Sequence, residues 1–254
     1  MKLLPRLTAE FTGTAMLLAI VVGSGVMGER LANGNEALAL LANSLATGFG
    51  LFALILVFTP VSGAHFNPLV TLAAWSRRNL PARTALGFAV AQTCGAVAGI
   101  MLAHAMFDLP LLSAGEKIRT GTGQWLAEAT ATFGLLLTIF GATRYGIPTL
   151  AGAVGSYIAA AYWFTASTSF ANPAVTIARA LTSTFAGIRP ADVGFESLVG
   201  QVTERCRSGR DDAGATAIHG RRSDRQLAEG ALDVRKIITG IAWVVRHRGE
   251  RRHA

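Results

Sequence analysis

Asn67-Pro68-Leu69-Val70-Thr71-Leu72-Ala73 and Asn172-Pro173-Ala174-Val175-Thr176-Ile177-Ala178 are one phrase written twice. Five of the seven positions are identical, and the other two stay apolar. Asn is a favoured helix N-cap, and Pro fits the first helical position, where a missing N–H costs nothing. Each copy therefore predicts a helix start followed by apolar residues. Both starts fall inside long uncharged stretches, away from the polar loops where helix starts are usually found.

Those stretches decide the class. Phe11–Gly28, Ala37–Ser76, Thr84–Phe107 and Tyr145–Ala178 contain no Asp, Glu, Lys or Arg. The chain is 51% hydrophobic and 15% charged, with a mean hydropathy of +0.42. A soluble domain carries about 25% charged residues, and a bilayer-spanning helix needs about 20 apolar ones. The chain reads as an all-α integral membrane protein, with the lipid bilayer as its first partner. The charge of +8 adds little, because orientation bias alone makes loops positive. Cys94 and Cys206 form no disulfide framework.

Five spans are predicted, over about residues 7–27, 37–58, 84–106, 124–143 and 147–164. The turn Thr59-Pro60-Val61-Ser62-Gly63 splits the forty uncharged residues of the second block into a full span and a half-length helix beginning at Asn67. The block 145–178 repeats that layout, with a half helix from Asn172. Ala9-Glu10 and Ala127-Glu128 open the first and fourth spans in matching contexts. Three spans per copy is an odd number, so the second copy is inserted upside down. Inverted repeats of this kind place a binding or conduction site at their interface, near mid-membrane. Lys2, Arg6, Arg77, Arg78, Arg83 and Arg144 fall on one side, which the positive-inside rule makes cytoplasmic together with the N-terminus.

Two half helices entering from opposite faces would meet N-terminus to N-terminus, each adding roughly half a positive charge from its dipole. Asn67 and Asn172 would then aim amide N–H groups into a central lumen, which favours neutral solutes and repels cations. Glu10 and Glu128 are costly inside a membrane. Their symmetric placement favours bracing of exposed loop N–H groups over a proton relay. Gln92 and His65 are read as further structural hydrogen-bonders. No second His or Cys stands at metal spacing from His65. No catalytic motif is present, and neither a cofactor nor a metal is expected. Gly23-Ser24-Gly25-Val26-Met27-Gly28 matches a dinucleotide fingerprint in form, but it closes an apolar helix, so no nucleotide site is read there. Gly95-x-x-x-Gly99 signals close helix packing.

The phrases Ser62-Gly63-Ala64-His65-Phe66-Asn67-Pro68 and Asn172-Pro173-Ala174, with Ala9-Glu10 and Ala127-Glu128, give the chain a resemblance to the aquaporin/aquaglyceroporin (major intrinsic protein) family over about residues 5–190. The resemblance implies an inverted-repeat bundle of six helices and two re-entrant half helices, usually a homotetramer with one pore per subunit. It implies Asn67 and Asn172 at the pore centre, and Pro68, Leu69, Pro173 and Ala174 at the half-helix starts. It also implies bracing by Glu10, Glu128, Gln92 and His65. Leu69 departs from the usual Ala. Val175 stands where the family normally has an Arg of the outer constriction. Counting from the Asn-Pro phrases places the other constriction positions at Thr47, Ala160 and Ser169, a small, uncharged and wide ring. The run Phe170 to Leu181, continuing through Thr184 to Pro190, resembles bacterial aquaglyceroporins of arsenic-resistance operons. The implied function is a passive channel in the bacterial inner membrane for water, glycerol-like polyols, neutral arsenite and methylated arsenicals.

The tail does not fit this plan. Residues 189–254 hold 13 Lys/Arg and 9 Asp/Glu, and their longest apolar piece, Ile237–Val245, is too short to cross a bilayer. The domain reading is a channel domain over 1–190 and a charged tail over 191–254, with no nucleic-acid motif in the tail. The sixth span is missing where it is due. That makes a non-conducting, truncated or frame-shifted remnant the alternative function. A reading-frame shift near residue 193 would explain the abrupt turn to Arg, Ala, Gly and Asp. Translating the gene in its other two frames is expected to yield about 20 apolar residues there; finding none in either frame refutes the shift.

Overall fold

The computed structural model describes residues 2–193. These residues build seven α-helices: α1 (Leu3–Leu31), α2 (Glu36–Phe58), α3 (Pro68–Ser76), α4 (Ala82–Met106), α5 (Thr122–Ala142), α6 (Ile147–Phe164) and α7 (Pro173–Arg179), with short 3-10 turns at Thr143–Tyr145 and Pro190–Asp192. No strand occurs among the described residues. The charged tail beyond residue 193, with its apolar piece, lies outside them.

Each helix follows from its local sequence. Asn35 caps α2 by accepting the Leu38 N–H at 3.1 Å, and Pro148 sits in the first turn of α6. The Gly23–Gly28 run lies within α1, with no strand before it. Among the described residues, four segments are long and apolar enough to cross a membrane: Leu3–Leu31, Glu36–Phe58, Ala82–Met106 and Thr122–Tyr145. At 18 residues, α6 has the lower-limit length for a span, about 27 Å. The first helix is longer than expected at both ends, because neither Pro5 in its first turn nor the glycines near its end interrupt it. Phe49, Val57, Leu86 and Leu126 point outward, as lipid-facing residues do.

Lipid offers helices no hydrophobic reason to associate, so their packing relies on small residues that let backbones approach. The α1–α4 pair shows this directly. A methyl group at Gly95 would collide with the Phe11 carbonyl, and one at Gly99 with the Ala15 carbonyl. Leu18 and Val22 of α1 and Ile100 and Ala103 of α4 fill the buried centre beside this crossing. At the α2–α6 seam, Gly48 and Gly155 are each pressed against the other's backbone. The Trp163 indole N–H donates across that seam to Ser44 Oγ at 3.0 Å.

The two copies have parallel layouts. In each, a long helix and a second long helix lead into an irregular loop and then a half-length helix. The half helices α3 and α7 touch each other, and both also pack near α4 or on it. In the first copy α4 follows the half helix and covers α1. Among the described residues no helix covers α5 in the same way.

Gly99→Leu is expected to wedge α1 from α4. Overpacking of this kind costs about 1–3 kcal/mol, and it reads out as a lower melting temperature of the detergent-solubilised protein. Cys94→Ala, on the exposed side of α4, is expected to leave that temperature unchanged.

Candidate functional site: two asparagines locked by exchanged hydrogen bonds

The two Asn-Pro phrases meet at the middle of the molecule. Asn67 Nδ2 donates to the Ala171 carbonyl at 2.7 Å, and Asn172 Nδ2 donates to the Phe66 carbonyl at 2.8 Å. Each asparagine thus binds the residue just before the other. Their side-chain oxygens stay at home as helix caps. Asn67 Oδ1 accepts the Leu69 N–H at 2.9 Å, and Asn172 Oδ1 accepts the Ala174 N–H at 3.1 Å and the Val175 N–H at 3.4 Å. Pro68 and Pro173 open the half helices and have no N–H that would need an acceptor. Leu69 and Ala174, next in line, are both buried.

The loops before the asparagines share a backbone that their side chains do not announce. Counting back from each Asn, positions four, three and one have positive φ. These are Gly63, Ala64 and Phe66 in the first loop, at +99°, +50° and +49°, and Thr168, Ser169 and Ala171 in the second, at +59°, +52° and +44°. Only glycine adopts such angles freely; a residue with a Cβ bears on the order of 1–2 kcal/mol. Two buried carboxylates hold the loops in place. Glu10 accepts the His65 N–H at 3.0 Å, the Phe66 N–H at 2.8 Å, the Ser62 hydroxyl at 2.5 Å and Gln92 Nε2 at 2.7 Å. Glu128 accepts the Phe170 N–H at 2.9 Å and the Ala171 N–H at 2.7 Å. The N–H pair is the same in both copies, the two residues before the Asn. Gln92 Nε2 and His65 Nδ1 both reach Thr71 Oγ1 at 3.0 Å, tying loop, half helix and α4 together.

The counted constriction positions differ in burial. Thr47, Ser169 and Val175 are buried, and the Ser169 hydroxyl has no hydrogen-bond partner among the described residues. Ala160 on α6 is exposed. The group that meets Thr47 Oγ1 is the buried Tyr162 hydroxyl, 3.3 Å away. Spacing alone did not point to it. The Arg179 guanidinium lies 3.8 Å from the centre of the Phe170 ring, and its Nε donates to the Ala186 carbonyl.

The polar loop between α4 and α5 is strapped to the segment after α7. Ser113 and Gly115 donate to Leu181 and Ala180 at 3.1 and 3.0 Å, and Arg189 donates to the Lys117 carbonyl at 2.8 Å. Arg119 Nη1 reaches the Ser167 carbonyl at 3.1 Å and Thr168 Oγ1 at 3.2 Å, and its Nε reaches the Gly187 carbonyl at 3.2 Å. Asp192 accepts the Arg119 backbone N–H at 3.0 Å and Arg189 Nη2 at 2.8 Å. Burial alone would raise the Asp192 carboxyl; the two arginine donors outweigh it and hold the group below its usual range. The strap's ion pair therefore persists at neutral pH and is lost only as pH falls through that lowered value. Among the described residues no three His, Cys, Asp or Glu side chains gather as a metal site would require.

Glu10→Ala is expected to strand two buried N–H groups at about 1–3 kcal/mol each, whereas Glu10→Gln keeps one acceptor oxygen. The melting temperature in detergent is expected to fall much further for the alanine variant than for the glutamine one.

The Major intrinsic protein family profile matches residues 1–147. The chain is 52% identical to aquaglyceroporin AqpS of Rhizobium meliloti over 191 residues, which is 75% of this chain and 82% of that protein. It is 32% identical to aquaporin AqpM of Methanothermobacter marburgensis over 161 residues, covering 55% of this chain and just under two thirds of the relative, 65%. The crystal structure of the aquaglyceroporin from Plasmodium falciparum superposes with a TM-score of 0.59 at 22% identity, over 68% of this chain and 78% of that one, and so supports the fold. With its apolar spans, its doubled Asn-Pro phrase and these relatives, the chain belongs to the major intrinsic protein family of membrane channels.

Proposed function

We propose that residues 1–190 form a passive pore for small uncharged solutes wider than water, with Asn67 and Asn172 at its centre. The observation that carries this reading is the reciprocal pair of hydrogen bonds between the two asparagines and the opposing loops. Each amide nitrogen has two N–H groups and uses one in that exchange. The second is left to donate to a hydroxyl or water oxygen passing between the half helices. Donors on both sides welcome an oxygen lone pair and offer nothing to a cation. A water held by two donors also donates poorly to its neighbours, which interrupts proton hopping.

Thr47, Ala160, Ser169 and Val175 line the outer constriction in this reading. The ring has no charge, and Ser169 contributes a hydroxyl with no protein partner among the described residues. A ring of small neutral groups admits glycerol-like polyols, and by the same logic the neutral acid of arsenite and methylated arsenicals. The similarity to a Rhizobium meliloti protein named an aquaglyceroporin supports the polyol reading. Glu10, Glu128, Gln92 and His65 hold the loops, and a bacterial inner membrane is the setting, with the N-terminus cytoplasmic. Four copies, each with its own pore, form the working assembly. One sequence observation favours a second reading, the non-conducting remnant: residues 189–254 hold 13 Lys/Arg and 9 Asp/Glu, and their longest apolar piece, Ile237–Val245, is too short to cross a bilayer.

Stopped-flow swelling of proteoliposomes decides between these readings. Glycerol and a neutral arsenical are expected to enter, and Val175→Arg is expected to cut glycerol entry by about tenfold, a barrier of about 1.4 kcal/mol, while water still passes. Water flow with glycerol excluded in the native protein refutes the wide ring. No flow of either supports the remnant.

A further inference from the structure

One buried pair of hydroxyls has a hydrogen to spare. Thr47 Oγ1 on α2 and the Tyr162 hydroxyl on α6 lie 3.3 Å apart. Thr47 is 2% exposed and Tyr162 4%. Neither hydroxyl has another partner among the described residues. Two hydroxyls carry two hydrogens, and their contact uses one. The other O–H is left without an acceptor in a buried place, where an unmet polar group is costly. An oxygen that comes and goes, on water or on a solute, meets that need.

The threonine is also turned away from its usual partner. A threonine inside a helix commonly returns its hydroxyl to the carbonyl four residues back. Thr14, Thr93, Thr130 and Thr138 all do so, at 2.7 to 2.9 Å. Thr47 makes no such bond to the Asn43 carbonyl; its hydroxyl is drawn across the helix seam to Tyr162. Thr71 is a parallel case, where Gln92 and His65 reach the hydroxyl. The seam has other ties. Gly48 and Gly155 bring the two backbones together, and Trp163 donates to Ser44. A phenol is a stronger acid than an alcohol, and so the better donor of the two. Tyr162 then donates to Thr47 Oγ1, and the hydrogen left over is the threonine's.

We propose that Tyr162 is a positioning residue of the outer constriction: it keeps the Thr47 hydroxyl off its own helix and ready to donate to the oxygen of a polyol in passage. The proposal rests on the reading above that Thr47 lines the constriction. It adds a residue that counting from the Asn-Pro phrases does not reach. Glycerol gives up more of its hydration than a single water does, so its entry depends more on a donor placed in the ring. The plain competing role is a tie between α2 and α6, and cutting a tie lowers water and glycerol entry together.

Stopped-flow traces of full-chain proteoliposomes give both flows, and the glycerol-to-water ratio is the readout. Tyr162→Phe keeps the aromatic ring and removes the hydroxyl, which frees Thr47 to fold back onto the Asn43 carbonyl. Its ratio is expected to fall about fivefold, the effect of one hydrogen bond. Thr47→Val, nearly the same shape without the hydroxyl, is expected to fall by a similar factor, and the double variant no further than Thr47→Val alone. A native ratio in Tyr162→Phe overturns the proposal. A full fivefold loss on adding Tyr162→Phe to Thr47→Val overturns it too, since the tyrosine then acts without the threonine. Should the phenylalanine variant pass nothing, the chain's three tyrosines are replaced uniformly by 3-fluorotyrosine, whose phenol is the stronger donor. The ratio is then expected to rise in the native sequence and to stay unchanged in Thr47→Val; equal ratios with and without fluorine in the native sequence overturn the proposal. A native ratio in Thr47→Val fails at the earlier step: Thr47 is then outside the ring, and the proposal falls with that reading.

Discussion

A stretch of irregular backbone inside a bilayer must find all of its hydrogen bonds within the protein, because lipid supplies none. Everything at the centre of this molecule answers that constraint. The two loops before the half helices turn three of their residues into positive φ, which twists successive N–H groups to one side. Those N–H groups converge on Glu10 and Glu128, and the carbonyls of Phe66 and Ala171 are left to the asparagines. An acid that looks out of place in an apolar helix is therefore the receptor that makes the loop possible. The strain in the loops and the burial of the acids are two halves of one arrangement, and neither is stable without the other.

Part of this was legible in the sequence and part was not. Asn-Pro after an uncharged run announces a helix start through local chemistry, so the half helices and their caps could be placed from residues 67 and 172 alone. The bracing of loop N–H groups could be inferred from Glu10 and Glu128, since a carboxylate in a span demands donors. The shared backbone of the two loops could not. Gly63 invites positive φ, but Thr168 and Ser169 argue against it, and only tertiary contacts overrule them. The meeting of Thr47 with Tyr162 depends on how α2 and α6 are rotated about their glycine seam, which no spacing rule encodes. Arg119 reads as an ordinary loop cation until the strap to the segment after α7 carries it to Ser167 and Thr168.

The two copies also show what a repeat preserves when its side chains diverge. His65 and Phe170 share no chemistry, yet both present a backbone N–H to the equivalent acid. Ser62 and Ser167 each turn a hydroxyl to the N–H two residues on, Ala64 and Ser169, at 3.1 and 3.2 Å. Backbone direction and one acceptor per copy are kept; ring, hydroxyl and methyl are exchanged freely around them. Leu69 against Ala174 fits the same pattern, since both are buried behind the caps and both leave the N–H that the asparagine needs.

The bonds at the centre also impose an order on biosynthesis. Glu10 can engage Ser62, His65 and Phe66 as soon as the first 66 residues have left the ribosome. Asn67 must wait for Ala171, and Asn172 reaches back to Phe66, separations of 104 and 106 residues. The first copy therefore keeps one amide unanswered until the second loop has been made. The keystone of the molecule can be set only once 172 of its 254 residues have been joined.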